Sequence, residues 1–233
     1  MSEVRHRFHE EMRSLEGAIQ RMGAEARSLL EKALRALANG DPALCDDVIT
    51  GDDGVDRLYL DIERRILDLF GLQTPVASDL RLLTALLHIN LHLERIADQA
   101  VNLAKIARLT GGLPANPNVL RRLEEMGAIA LQMVSAAMDA LARRDLELAR
   151  QLPGMDDPID RLNRGMLEEV LEGSVDRRAL EWGIRMHLVS RQIERIGDNA
   201  VDIGEQVAFV VTGLFREFED ASHPGEAAPQ PAQ

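Results

Sequence analysis

Apolar residues recur along this chain at spacings that alternate between four and three, over stretches far longer than one short amphipathic helix needs. From Glu3 to Ala38 the series is Phe8, Met12, Leu15, Ile19, Met22, Ala26, Leu29, Ala33 and Ala36. This 3.5-residue period predicts one long helix buried along a stripe against antiparallel neighbours. Gly40-Asp41-Pro42 then supplies a stop, an N-cap and a proline at the first helical position. A second helix from Pro42 to Phe70 carries Leu44, Val48, Gly51, Val55, Tyr59, Ile62, Ile66 and Leu69. Gly71 to Ala77 reads as a loop, with Ser78 as N-cap of a third helix from Asp79 to Leu109. The stripe of that helix is Leu82, Leu86, Ile89, Leu93, Ile96, Ala100 and Leu103. Gly111 to Pro117 interrupts the pattern, and helices four to six are expected beyond it, the fourth beginning with Val119, Leu123, Met126, Ala130, Met133 and Ala137.

The second half repeats the first. Leu37-Ala38-Asn39-Gly40-Asp41 aligns with Leu141-Ala142-Arg143-Arg144-Asp145, and Asp52 to Leu58 aligns with Asp156 to Leu162, both at an offset of 104. The phrase Leu93-Glu94-Arg95-Ile96-Ala97-Asp98 returns as Ile193-Glu194-Arg195-Ile196-Gly197-Asp198 at an offset of 100, so the second copy loses four residues between Leu162 and Glu181. Two units of about a hundred residues suit a pair of similar domains rather than a solenoid. The expected division is 1–110 and 117–218, each a three-helix bundle, with 219–233 as a disordered tail rich in Ala, Pro and Gln.

Composition narrows the class further. Aromatic residues are 3% of the 233, and the balance of the chain favours helix over strand, so the fold is read as all-α. Cys45 is the only cysteine, which excludes an intrachain disulfide and a cysteine-paired zinc site and leaves a small buried helix residue as the reading. A net charge of −12 argues against nucleic acid or anionic lipid as partner. Neither a signal peptide nor a membrane-length apolar run occurs, and a cytoplasmic location is expected. No Glu-x-x-His, phosphate-binding loop or nucleophile elbow is present.

The candidate chemistry lies in carboxylates beside the apolar stripes. Glu94 and Asp98 sit one turn apart on one helix face, about 6 Å between Cβ atoms. With Asn90 and Asn102 they form a polar margin one residue past the stripe, and Asp52 and Asp56 flank the second helix in the same way. Two such margins on antiparallel helices can meet across a groove, and four carboxylates there repel one another unless a hard cation joins them. The second copy offers Asp156 and Asp160 against Ser190, Glu194, Asp198 and Asp202. In that copy Pro158 replaces Gly54, and Asp157-Pro158, after Pro153-Gly154, reads as a helix restart that turns Asp156 toward capping. The first site is therefore expected to be the tighter. His88 and His92 are read as partly exposed surface residues, since His92 lies about 200° round the helix from Glu94. All-oxygen ligands suit magnesium, calcium, manganese or ferric iron better than zinc or copper.

Together the duplicated phrase and Pro75-Val76-Ala77-Ser78-Asp79-Leu80-Arg81 resemble the family of phosphate transport system accessory proteins called PhoU, over roughly residues 5 to 215. The resemblance implies two similar three-helix bundles carrying paired carboxylate motifs that can hold multinuclear metal clusters on the bundle surface. Mapped onto this chain, the ligands are Asp52, Asp56, Glu94 and Asp98, then Asp156, Asp160, Glu194 and Asp198. It also implies a non-enzymatic regulator that represses the phosphate-starvation response. Such a protein works at the inner face of the membrane, through the ATPase of a phosphate ABC transporter and a sensor histidine kinase. Second-copy departures are Pro158 and the lack of an equivalent to the Pro75 to Arg81 segment. A homodimer is expected from long helices with spare Met and Ala faces. Two alternatives remain open from the residues, a carboxylate-bridged metalloenzyme such as a phosphoesterase and a metal-free helical adaptor.

Overall fold

The computed structural model describes residues 3–72, 75 and 77–218, and among these every regular element is helical. Seven helices follow one another: α1 Glu3–Asn39, α2 Pro42–Leu72, α3 Ser78–Arg108, α4 Pro117–Arg143, α5 Leu146–Arg164, α6 Met166–Glu172 and α7 Arg177–Thr212. The expected tail, 219–233, lies outside the described residues, as does Val76 of the Pro75 to Arg81 segment. No described helix is long and apolar enough to cross a membrane.

The stripes became the core. Every named position on α1 and α4 is buried, as are Leu86, Ile89, Leu93, Ile96, Ala100 and Leu103 on α3. Cys45 is also buried, and burial raises its thiol pKa. Helices α1, α2 and α3 pack on one another, α4 and α5 pack on α7, and α3 lies along α7, so one continuous apolar cluster runs through both copies.

Duplication extends to the turns. Gly40 (φ 62°) and Arg144 (φ 54°) occupy equivalent left-handed positions, and the residue after each caps the next helix. Asp41 accepts from the backbone N–H of Leu44 at 3.1 Å, and Asp145 accepts from that of Leu148 at 3.0 Å. Arg144, which lacks glycine's freedom, is held there by Glu16 of α1 at 2.5 Å.

Two expectations about helix ends need correction. Ser78 is the first residue of α3 and not its N-cap; that position belongs to Ala77, which has no side chain able to cap. The fifth helix does not restart at Pro158. Asp145 caps it, and α5 runs unbroken through Pro153 and Pro158 to Arg164. Each proline removes one helical hydrogen bond, but the buried Ala149, Leu152 and Ile159 hold the helix against α7, and tertiary packing overrides the local penalty. The break comes instead at Gly165, giving a separate α6 and four helices in the second copy. A Cβ at Gly165 would lie 2.8 Å from the Arg122 guanidinium, which pairs with Glu169 at 2.7 Å.

Candidate metal grooves

Helices α2 and α3 run antiparallel, and so do α5 and α7. In such a pair the residue after each apolar position turns to the same side of both helices. This brings Asp52 and Asp56 of α2 beside Glu94 and Asp98 of α3. Burial raises the Asp52 pKa, and the charges of Asp56 and Asp98 add to it. Burial likewise raises Glu94, followed by Asp98 and Asp56. Asp56 and Asp98 themselves stay open to solvent, so the first groove is shallow.

The second groove gathers Asp156, Asp160, Glu194 and Asp198, and it is deeper. Asp156 Oδ1 is buried without a hydrogen-bond partner. Its carboxyl is pushed up to about 8 by burial, then by the charges of Asp198, Asp160 and Glu194. Asp198 keeps an open outer surface, yet burial of its carboxylate together with Glu194 and Asp160 raises it to about 6. Glu194, raised mainly by burial, accepts from Arg191 at 2.8 Å. The reading of Asp156 as a helix cap is overturned, since it stands mid-helix in α5 and points at α7.

What makes the second groove deep is a row of small residues on α7 that the sequence reading missed. Gly183, Ser190, Gly197 and Gly204 recur every seven residues along the face that meets α5 and α6. A Cβ at Gly183 would stand 2.4 Å from Val170, one at Gly204 2.5 Å from Leu152, and one at Gly197 2.1 Å from Asp156 Oδ1. The matching residues of α3 are Leu83, Asn90, Ala97 and Ala104, larger in every case and all buried. The seven-residue spacing of glycines was visible in the sequence and would have signalled the close approach.

Two polar residues assigned to the margins prove to be core. Asn90 is fully buried, its amide donating to the Tyr59 carbonyl at 3.0 Å. Ser190 is fully buried too, its hydroxyl 2.9 Å from Asn163 Oδ1. The histidines are partly exposed as expected, but α3 turns them toward α7, a contact the sequence did not show. His88 Nδ1 meets Gln206 Oε1 at 3.2 Å, and His92 Nδ1 meets Asn199 Oδ1 at 2.9 Å and Asp202 Oδ2 at 3.3 Å. Asp202 thus faces the other repeat.

The donor set fits a hard cation. It is all carboxylate, with Asp52, Glu94, Asp156, Glu194 and Asp198 raised in pKa first by burial, and it includes one buried oxygen with nothing to bond. Among the described residues no three His, Cys, Asp or Glu side chains are already assembled around a point. The grooves therefore offer charge and oxygen rather than a finished cage. A cavity of about 700 Å³ between α5 and the end of α7, lined by Arg150, Pro153, Leu214 and Phe218, includes none of the eight carboxylates.

Comparison with known proteins meets this geometry. The family model described as PhoU domain matches the chain twice, over residues 19–107 and 123–207. A relative from Caulobacter vibrioides, named phosphate-specific transport system accessory protein PhoU homolog, is 31% identical over 207 residues, covering 88% of this chain and 90% of its own. The crystal structure of PhoU from Pseudomonas aeruginosa superposes with a TM-score of 0.83 at 29% identity, over 89% of this chain and 100% of that one. The phosphate transport system regulatory protein PhoU from Streptococcus pneumoniae gives the same TM-score at 24% identity, over 91% and 100%, and supports the fold alone.

Proposed function

This chain belongs to the PhoU family, and from that premise we propose that it is a metal-binding regulator of phosphate uptake and of the phosphate-starvation response. The observation that carries the reading is the double match to the PhoU domain, one over each pair of carboxylate-bearing helices. Relatives are named accessory proteins of a phosphate-specific transport system, not enzymes. An accessory protein of a transporter acts by contact. The contacts proposed here are with the transporter's ATPase subunit and a phosphate-sensing histidine kinase, at the inner face of the membrane, by a homodimer.

A hard cation such as manganese, iron or magnesium would supply the positive charge that the clustered carboxylates lack. Asp52, Asp56, Glu94 and Asp98 would hold one centre, and Asp156, Asp160, Glu194 and Asp198 the other. The role of these side chains is to bind and to tie α2 to α3 and α5 to α7, so that metal loading stiffens the face a partner reads. Deleting the gene in its host and following a phosphate-starvation promoter tests the reading. At high phosphate the reporter should rise on deletion and fall again when the intact gene is restored. A reporter that stays silent after deletion would contradict a repressing role.

A further inference from the structure

The two copies differ at one position where the difference acts directly on a carboxylate. Gly197 and Ala97 are equivalent by the offset of 100, as Asp156 and Asp52 are by the offset of 104. A Cβ on Gly197 would stand 2.1 Å from Asp156 Oδ1 and 3.2 Å from its Cγ, well inside van der Waals contact. The Asp156 carboxylate therefore occupies the space that a methyl group would fill. In the first copy that methyl exists, on the fully buried Ala97. We propose that Gly197 is a positioning residue: its missing side chain forms the slot that admits Asp156 and makes the α5–α7 groove the tighter cation site, while Ala97 closes the equivalent slot in the first repeat.

The proposal rests on the metal-binding reading above and reverses the order of affinities that Pro158 suggested. Its physical basis is preorganisation. A carboxylate enclosed between two helices has already lost its rotamer freedom, so a cation bound there does not have to order it. The buried oxygen has no donor to give up, and ion binding supplies the partner that burial withheld. In the first repeat the equivalent ligand, Asp52 of α2, faces the Ala97 methyl of α3 in place of an open slot, and on this proposal it has further to move to meet a cation. Residues that orient a metal ligand without touching the metal commonly change affinity by about 10- to 100-fold.

The test is calorimetric titration of the full chain with Mn²⁺ for the wild type, Gly197→Ala, Ala97→Gly, Asp156→Ala and the double variant Gly197→Ala with Asp156→Ala. Two classes of site are expected in the wild type. Gly197→Ala should weaken the tighter class by about 10- to 100-fold and leave the weaker class alone. Ala97→Gly, which removes a methyl instead of inserting one, should tighten the weaker class several-fold and keeps the test alive if Gly197→Ala does not fold. With Asp156 already gone, Gly197→Ala should have no further effect on Mn²⁺ affinity, an outcome that a general loosening of the helix pair would not give. Unchanged affinities in both glycine exchanges, or equal weakening by Gly197→Ala with and without Asp156, would overturn the proposal. A wild type that takes up no Mn²⁺ at all would instead remove the metal-binding reading itself.

Discussion

Replacing Asp156 by Asn should stabilise the metal-free protein, and more so as the pH rises. The folded chain holds the Asp156 carboxyl at about 8 against an ordinary value of 3.8, so it binds that proton more tightly than the unfolded chain does. Stability linked to the proton is complete below about pH 4 and is lost as pH climbs through about 8, because over that window the folded state carries the extra proton. A shift of roughly four units, at 1.36 kcal/mol each, bounds the loss at about 5 kcal/mol. Solvent at the rim of the half-buried site screens part of it, and about 2 to 3 kcal/mol is the working figure. For a chain of this size that corresponds to about 5 to 10 °C in melting temperature. The assay is thermal unfolding in excess chelator from pH 5 to pH 9. The gap between the Asn variant and the wild type should be smallest at the acid end and widen toward the alkaline end, in the direction that lowers the wild type. Comparing the two ends cancels any constant penalty of burying the amide. Curves that remain parallel across the range would refute the claim that Asp156 is a buried, unpaired carboxylate.

Other substitutions probe the scaffold around the grooves. Ser190→Ala should cost about 1 to 3 kcal/mol in urea unfolding, because the buried Asn163 Oδ1 loses its neighbour; a change below about 0.5 kcal/mol would mean that the pair is dispensable. Gly183→Ala places a methyl 2.4 Å from Val170 Cγ1 and should lower stability by about 1 to 3 kcal/mol through overpacking between α6 and α7; combining it with Val170→Ala should recover part of the loss, and failure to do so would place the strain elsewhere. His92→Leu removes a partner from Asn199 and Asp202 at the contact of the two repeats. It should destabilise by about 1 to 2 kcal/mol and raise amide exchange in both α3 and α7, whereas exchange confined to α3 would contradict a shared interface.

The sequence carried the duplication and the long helices plainly, because each stripe repeats over several heptads and averages out local noise. Val119, Leu123, Met126, Ala130, Met133 and Ala137 were legible as core for that reason. The carboxylates of the two margins were legible as neighbours because antiparallel packing turns equivalent positions to one side. Local rules failed where tertiary contact decides. Pro158 is a helix breaker by propensity, yet burial of Ile159 and Leu152 against α7 keeps α5 whole. At Gly165, where α5 gives way to α6, the missing side chain leaves room for the Arg122 guanidinium arriving from α4, a contact that no local rule foresees. His88 and His92 were read on a single helix wheel, which says nothing of a second repeat lying against that face. The asymmetry between the grooves was sought in Gly54 and Pro158 on the incoming helices, while its cause stands on α7 at Gly197, where the absent atom matters more than any residue present.

The account rests most heavily on the carboxylate grooves as cation sites. The direct measurement is a crystal structure of the full chain grown with Mn²⁺, with data collected at the manganese edge. Anomalous density is predicted in both grooves, ligated by oxygens of Asp52, Asp56, Glu94 and Asp98 in one and of Asp156, Asp160, Glu194 and Asp198 in the other. Density absent from both grooves, or manganese held by His88 or His92, would contradict the account.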